Sequence, residues 1–331
     1  MKKLSYLLIL MLIGLILDLS LGSVLLPVKD VFYTLLNKAP NEVISEIVLN
    51  YRLPKAITAI LAGAALSVGG VLMQTLFRNP LAGPDVLGVN AGAGLGVALF
   101  TMFGLSVLPV IGNWGIMGVA IIGALAVLLL VLSISFRVKE NTALLIIGIM
   151  IGNLAGAIIS ILQSVSNPDS IKLFIIWTFG SLSNVGKEQM LIMCPLIAAG
   201  LIMTFLMQKT LNVLMLGDNY AQSLGVDIKK TRIQIIIATA LLAGTATAFT
   251  GPIAFIGIAV PHITRGFLMS SNHRYIIPGS ALCGATLMLF CDVISQLPGL
   301  SMTLPINSVT ALFGAPVIIW VLFRNRRSFT R

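Results

Sequence analysis

Charge is scarce in this chain. Lysine, arginine, aspartate and glutamate together make up 10% of its 331 residues, where a soluble protein of that size carries about a quarter. Hydrophobic residues make up 57% and the mean hydropathy is +1.03, which excludes a water-soluble globular fold and leaves apolar runs long enough to cross a bilayer. Cysteine is also rare. Cys194, Cys283 and Cys291 all lie inside apolar runs, without CxxC spacing or a neighbouring histidine cluster, so they read as packing residues and not as metal ligands or a disulfide. The nucleotide motif GxxxxGK[ST] is missing; the one Gly-Lys pair, Gly186-Lys187, runs into Glu188. The chain therefore does not bind and split ATP by the P-loop route. HExxH, GxSxG and a carboxylate pair within a span are missing too, so no catalytic residue and no metal site is assigned. The net charge of +10 does not point to nucleic acid, because the basic residues fall between apolar runs and form no stripe with aromatics.

What is present is a series of apolar runs at 4–26, 55–76, 87–108, 114–136, 142–164, 189–208, 232–250, 253–270, 278–296 and 306–323. Backbone groups in lipid must bond internally, and the alternation needed for a membrane barrel does not occur, so these runs predict helices. The fold class is an all-α polytopic membrane protein of about ten transmembrane helices, a single domain over 1–331. The first run competes with a signal peptide, but its length and Asp18 favour an uncleaved span. With both termini on the inner side, inner segments carry fifteen lysines and arginines and outer segments six. The positive-inside rule then predicts cytoplasmic termini in the cell membrane.

The longest polar interruption is Lys209–Arg232, on the predicted inner side. Leu211 to Leu216 reads as one apolar turn broken at Gly217. Asp218 and Asn219 are candidate caps for a second helix, Tyr220 to Leu224, which stops at Gly225. Such an element is either a docking surface for a soluble partner or an ordinary solvated loop. Outside, a surface helix is expected from Asn41 to Tyr51.

The second span carries small residues at Ala59, Gly63, Ala64, Ser67 and Gly70, a stripe that lets helix backbones approach closely. The fifth repeats Gly148, Gly152, Gly156 and Ser160 at intervals of four, with Asn153 and Gln163 nearby. Polar groups are costly in hydrocarbon, so this stripe either bonds to neighbouring helices or lines a wet pathway. An internal repeat at an offset of 181 matches eight of the 23 positions from 58 to 80, Thr58 with Thr239 through Pro80 with Pro261. On this topology the repeat is inverted, a frequent build in transporters. His262 and Arg265 share a helical face near the inner surface, and packing against inner loops accounts for the histidine better than metal chemistry does. Asp292, deep in the ninth span, is either a functional carboxylate or a tie to a neighbouring helix.

RLPK at 52–55, LAGAALSVGGVLMQTLFRNPLAGPDVLGVNAGAGLG at 61–96, WTFGSLS at 177–183, LNVLMLGDNYAQSLGV at 211–226, GPIAFIGIAVPHITR at 251–265 and LPINSVTALFGAP at 304–316 occur in this order. As a set they resemble the iron-siderophore and vitamin B12 ABC transporter permease family. The resemblance implies the permease subunit of a type II ABC importer, moving an iron-siderophore, haem or cobalamin. Its implied partners are a second permease subunit (identical or different), two cytoplasmic ATPase subunits that bind ATP and magnesium, and an external substrate-binding protein. It makes Asp218, Ala221, Leu224, Gly225 and Val226 the ATPase-coupling residues of an inner segment over 211–232. It places a cytoplasmic gate at Asn141 and Thr142, and binding-protein docking at Arg52 and Lys55. The stripe of Gly148, Gly152, Asn153, Gly156, Ser160 and Gln163 would then line the pore. Gln296 and Thr303 depart from the family's outer arginine and glutamate. An ion- or proton-coupled secondary carrier is the alternative, motivated by Asp18, Asp292 and the repeat; a non-transporting membrane anchor matches the polar stripe poorly.

Overall fold

The computed structural model describes residues 2–22, 24–36, 38, 40–103, 112–138, 140–296 and 303–326. Helix α1 (Lys2–Ser20) is followed by two short helices, α2 (Val28–Leu35) and α3 (Glu42–Glu46). A π-helical turn at Ile47–Arg52 carries α3 directly into α4 (Leu53–Phe77). A 3-10 turn (Pro84–Leu87) precedes α5 (Val89–Met102), α6 (Gly112–Ser135), α7 (Asn141–Val165), α8 (Pro168–Thr178) and α9 (Lys187–Leu206). The polar middle forms α10 (Gln208–Leu214) and α11 (Asp218–Ser223). Then come α12 (Ile228–Thr239), a π turn (Ala240–Gly244), α13 (Thr245–Thr250), α14 (Ile256–Leu268), α15 (His273–Ser295) and α16 (Ile306–Arg326). No strand occurs among the described residues.

Each of the ten expected spans falls on a helix, the seventh on α12 and α13 together. Among the described residues, seven stretches are long and apolar enough to cross a membrane, with α5 and α16 as shorter apolar helices. The surface helix expected over 41–51 is present as α3 and its π turn, capped by Asn41, whose side chain accepts from the Ile44 N–H at 2.7 Å. Helix α8 is an addition. Asn167 caps it by accepting from the Ser170 N–H at 2.9 Å, with Pro168 in its first turn.

Two helices are short for a physical reason. The 14 residues of α5 reach about 21 Å and the 13 of α14 about 20 Å, less than the roughly 30 Å of a hydrocarbon core. Among the described residues, irregular backbone precedes each of them and is enclosed by protein. Ahead of α5, Ala82, Gly83, Pro84 and Leu87 are buried. Ahead of α14, Gly251 (φ +74) and Phe255 (φ +69) turn the chain. There the Ala254 N–H donates to Asn307 Oδ1 at 3.0 Å, and the Ser181 N–H donates to the Thr250 carbonyl at 2.7 Å.

Helix α4 is the central rod. Twenty-one of its 25 residues are buried, between α14 and α15 along much of its length. The small-residue stripe explains how. A Cβ added at Gly63 would lie 2.3 Å from the Gly284 carbonyl oxygen, and one at Gly70 only 1.7 Å from that of Gly257. Between these levels the Ser67 hydroxyl donates to the Ser280 carbonyl at 2.7 Å. The predicted repeat thus meets itself, since Gly70 lies in one copy's range and Gly257 in the other's. Gly92 and Gly123 bring α5 and α6 together in the same manner.

Replacing Gly70 by alanine forces α4 and α14 apart. We expect a loss of about 1–3 kcal/mol, the range for overpacked sites, read as a lower thermal midpoint of the detergent-solubilised protein. Gly118→Ala, which meets nothing within 4 Å, should leave the midpoint in place.

Candidate coupling and translocation site

The bundle has two chemically different ends. One gathers the N-termini of α1, α7 and α15, the C-termini of α4 and α14, and α10–α11; it is the basic end. The other gathers the C-termini of α1 and α15 with the starts of α4 and α9.

At the basic end, α10 and α11 form the hinged pair expected at 211–224. Gly217 (φ +117) makes the hinge and Gly225 (φ +84) the stop. After α11 the Val226 N–H bonds to the Ala221 carbonyl at 3.0 Å and the Gly225 N–H to the Gln222 carbonyl at 3.0 Å, a Schellman closure around a left-handed glycine. Leu211, Leu214 and Ala221 are buried and hold the element down. Met215, Leu216, Tyr220 and Leu224 point out, with Leu224 58% exposed. An apolar patch standing on a polar surface marks an interaction site. Beside it a groove of about 720 Å³ runs between α11, the start of α12 and the end of α6, and Gly225 and Val226 line it.

The cap expected of Asp218 and Asn219 is corrected. Gly217 occupies the cap position, without a side-chain hydrogen bond. The Asp218 carboxylate instead accepts from the Arg78 guanidinium, which also donates to the Leu214 carbonyl at 3.3 Å. Arg78 ends α4 in a left-handed conformation (φ +45). Sequence reading missed this residue, although RNP directly after an apolar run is a helix-stop signal. Asp227 caps α12 by accepting from the Lys230 N–H at 2.9 Å.

Asn141 and Thr142, expected as a gate, stand at the start of α7. Asn141 Nδ2 donates to the Leu76 carbonyl at 2.9 Å, and Thr142 is exposed. Of the polar stripe, Asn153, Gly156 and Ser160 lie on the exposed face, Gly152 and Gln163 at its edge. Ser160 donates to the Gly156 carbonyl at 3.0 Å. Gly148 is not on that face: it is buried, and an added Cβ would lie 2.1 Å from the Val86 carbonyl oxygen. An interval of four turns a helix about 40° past a full circle, so a stripe that starts inside winds out to the surface. His262 meets an inner loop as expected, its Nε2 2.6 Å from the Pro80 carbonyl oxygen. No group of three or more potential metal ligands occurs among the described residues, and the three cysteines are free.

The expected docking pair, Arg52 and Lys55, stands at the opposite end and lines its pocket. Arg52 and Lys55 are 8% and 5% exposed and face inward. The Lys55 ammonium lies 2.6 Å from Asp292 Oδ2 and 3.7 Å from Asp18 Oδ1. Arg52 donates to the Leu19 carbonyl at 2.8 Å and to that of Val24. The two carboxylates, read separately in the sequence, form one ionic cluster with Lys55. Asp18 and Asp292 lie near the C-terminal ends of α1 and α15 and Lys55 near the start of α4, so the fold puts all three at one level. A polar pocket of about 560 Å³ lies over the cluster, walled by Asn50, Tyr51, Asn184, Gln189 and Gln296.

Lys55→Met should cost about 3–5 kcal/mol, because two carboxylates are left buried without a counter-charge. The thermal midpoint in detergent reads the loss, and adding Asp18→Asn and Asp292→Asn to the same chain should recover part of it.

The described residues thus form a bundle of apolar helices with a hinged element at its basic end. This chain belongs to the FecCD transport family, whose model matches residues 9–324. It is 36% identical over 325 residues to the hemin transport system permease protein HmuU of Yersinia pestis, covering 98% of this chain and 96% of that one. It is 36% identical over 326 residues to the vitamin B12 import system permease protein BtuC of Citrobacter koseri, covering 98% and 95%. A solved structure of an inward-facing conformation, assigned to the metal-chelate type of ABC transporter, superimposes with a TM-score of 0.86 at 29% identity, covering 98% and 99%.

Proposed function

We propose that this chain is the permease subunit of an ATP-driven importer and that its cargo is a metal chelate, such as a ferric siderophore, haem or cobalamin. The observation that carries this reading is the α10–α11 element. Its buried side hooks under α4 and α15, and its exposed Met215, Leu216, Tyr220 and Leu224 form an apolar patch on a basic surface. A permease without a nucleotide site must receive its work from outside, and this patch is the part built to receive it. On this reading the basic end is cytoplasmic, in keeping with the fifteen-to-six bias of basic residues. A separate ATPase pair docks there and supplies ATP and magnesium chemistry. A binding protein delivers cargo at the opposite end, and a second permease subunit, identical or different, covers the open face of α7. Asn153, Gly156 and Ser160 on that face then border the pathway, and Asn141 and Thr142 close it inside.

An ion-coupled carrier needs a carboxylate free to load and unload its ion. Asp18 and Asp292 face Lys55 instead, which favours the ATP-driven reading.

Leu224→Asp puts a charge into the docking patch without touching the fold. Membrane insertion should be normal, while co-purification with the cognate ATPase and chelate uptake by cells fall about tenfold or more, the effect of a lost interface anchor. Full uptake by this variant would remove the docking role.

A further inference from the structure

We propose that Arg78 is a positioning residue that ties the docking element to the first turn of α7, through the end of α4. This rests on the functional reading above and deepens it. The contacts form a short chain. The Asp218 carboxylate of α11 accepts from Arg78, and the same guanidinium reaches the Leu214 carbonyl of α10 at 3.3 Å. It thus grips both sides of the Gly217 hinge. Two residues earlier, the Leu76 carbonyl accepts from Asn141, the first residue of α7, at 2.9 Å. Carbonyls in a helix's last turn have no partner within the helix, so Leu76 is free to hold the neighbour. A second tie runs parallel: Arg232, in the first turns of α12 and directly beyond α11, donates to the Val138 carbonyl at 2.8 Å, three residues before Asn141.

The Arg78–Asp218 pair is a weak candidate for fold stability. Both side chains are more than a third exposed, and exposed ion pairs contribute little. Its geometry is better suited to transmission. One guanidinium nitrogen, Nη2, reaches both acceptors, so a single group spans the two sides of the hinge. The last turn of α4 is held to α14 and α15 through Gln74, which accepts from Arg265 at 2.6 Å, and Thr75, 2.9 Å from His273 Nε2. Arg78, one residue past that turn, joins it to α10–α11, beside a separate contact of Asn212 on α10 with His273 of α15.

The test uses the permease assembled with its cognate ATPase in lipid nanodiscs, with Thr142→Cys in a background lacking Cys194. The readout is the rate of maleimide labelling with and without magnesium and a non-hydrolysable ATP analogue. We expect the analogue to change that rate by about fivefold or more in the parent, an ordinary allosteric coupling, and by less than about twofold in Arg78→Ala. Asn141→Ala should have the same effect, and the double variant should be no worse than either single, since both act on one chain of contacts. A full response in Arg78→Ala, or effects of Arg78→Ala and Asn141→Ala that multiply, would overturn the proposal. Where Arg78→Ala fails to assemble, Arg78→Asp combined with Asp218→Arg decides: the response returns if the pair transmits, and its continued loss rejects the idea. A parent chain that never binds the ATPase would remove the functional reading itself, an outcome visible before any labelling.

Discussion

No side chain separates α4 from α14 and α15 where they cross, and the rest of the bundle is placed around that contact. In lipid the hydrophobic effect does not draw helices together; close van der Waals packing and interhelical hydrogen bonds do. Gly63 faces the Gly284 carbonyl, Gly70 faces that of Gly257, and the Ser67 hydroxyl bonds across at the level between. Backbone against backbone leaves no rotamer to adjust. The rotation and depth of α4 are therefore set at three points along its length, and its two ends become reliable places to attach things.

What is attached differs at each end. At one, Lys55 meets Asp18 of α1 and Asp292 of α15, while Arg52 bonds carbonyls of the α1 end and the segment beyond it. Buried ion clusters are poor sources of net stability because desolvation consumes the attraction, but they are intolerant of misalignment. Helix α1 illustrates the use of that intolerance. Of its 19 residues Leu7, Gly14, Asp18, Leu19 and Ser20 are buried, and Leu4, Met11 and Leu15 pack partly against the core. The cluster adds a polar tie near the end of the helix and joins α1, α4 and α15 there. The other end is tied by hydrogen bonds, Thr75 with His273 and Gln74 with Arg265, in place of an ion cluster. Arg78 and Asp218 are partly exposed, and the hinge beside them turns on Gly217.

The features legible in the sequence were those written in one helix at a time. Apolar length located the ten spans, the small-residue stripe of α4 announced close packing, and Gly217 and Gly225 marked the hinge and stop of the α10–α11 element. The features that were not legible depend on two helices meeting. Lys55 looked like an outward-facing charge because its partners sit 37 residues before and 237 after it. Asp218 looked like a cap because the residue that claims its carboxylate ends another helix. Gly148 looked like part of one stripe because an interval of four seems constant along the chain, whereas on a helix it winds from the buried seam to the surface. The irregular backbone before α5 and α14 had signals, Pro80, Pro84 and Gly251-Pro252. That it runs at membrane depth follows only once neighbouring helices are there to accept its polar groups.

Helix α7 completes the argument by contrast with α4. Both have 25 residues, yet α7 buries only Leu144, Gly148, Ala155 and Leu162, a single seam. Burial stabilises by roughly 25 cal/mol per Å² of apolar surface, so displacing α4 would expose many times more contact than displacing α7. Close packing does not pin the seam either, apart from Gly148 under the Val86 carbonyl. At its first turn α7 is held by polar ties instead, Asn141 to Leu76 and Arg232 to Val138. Hydrogen bonds of that kind can be exchanged at small cost when their partners move, because water or another carbonyl takes the vacated place. The fold thus joins a closely packed frame around α4 to a helix held at its start by replaceable contacts, and those contacts lie beside the hinged α10–α11 element.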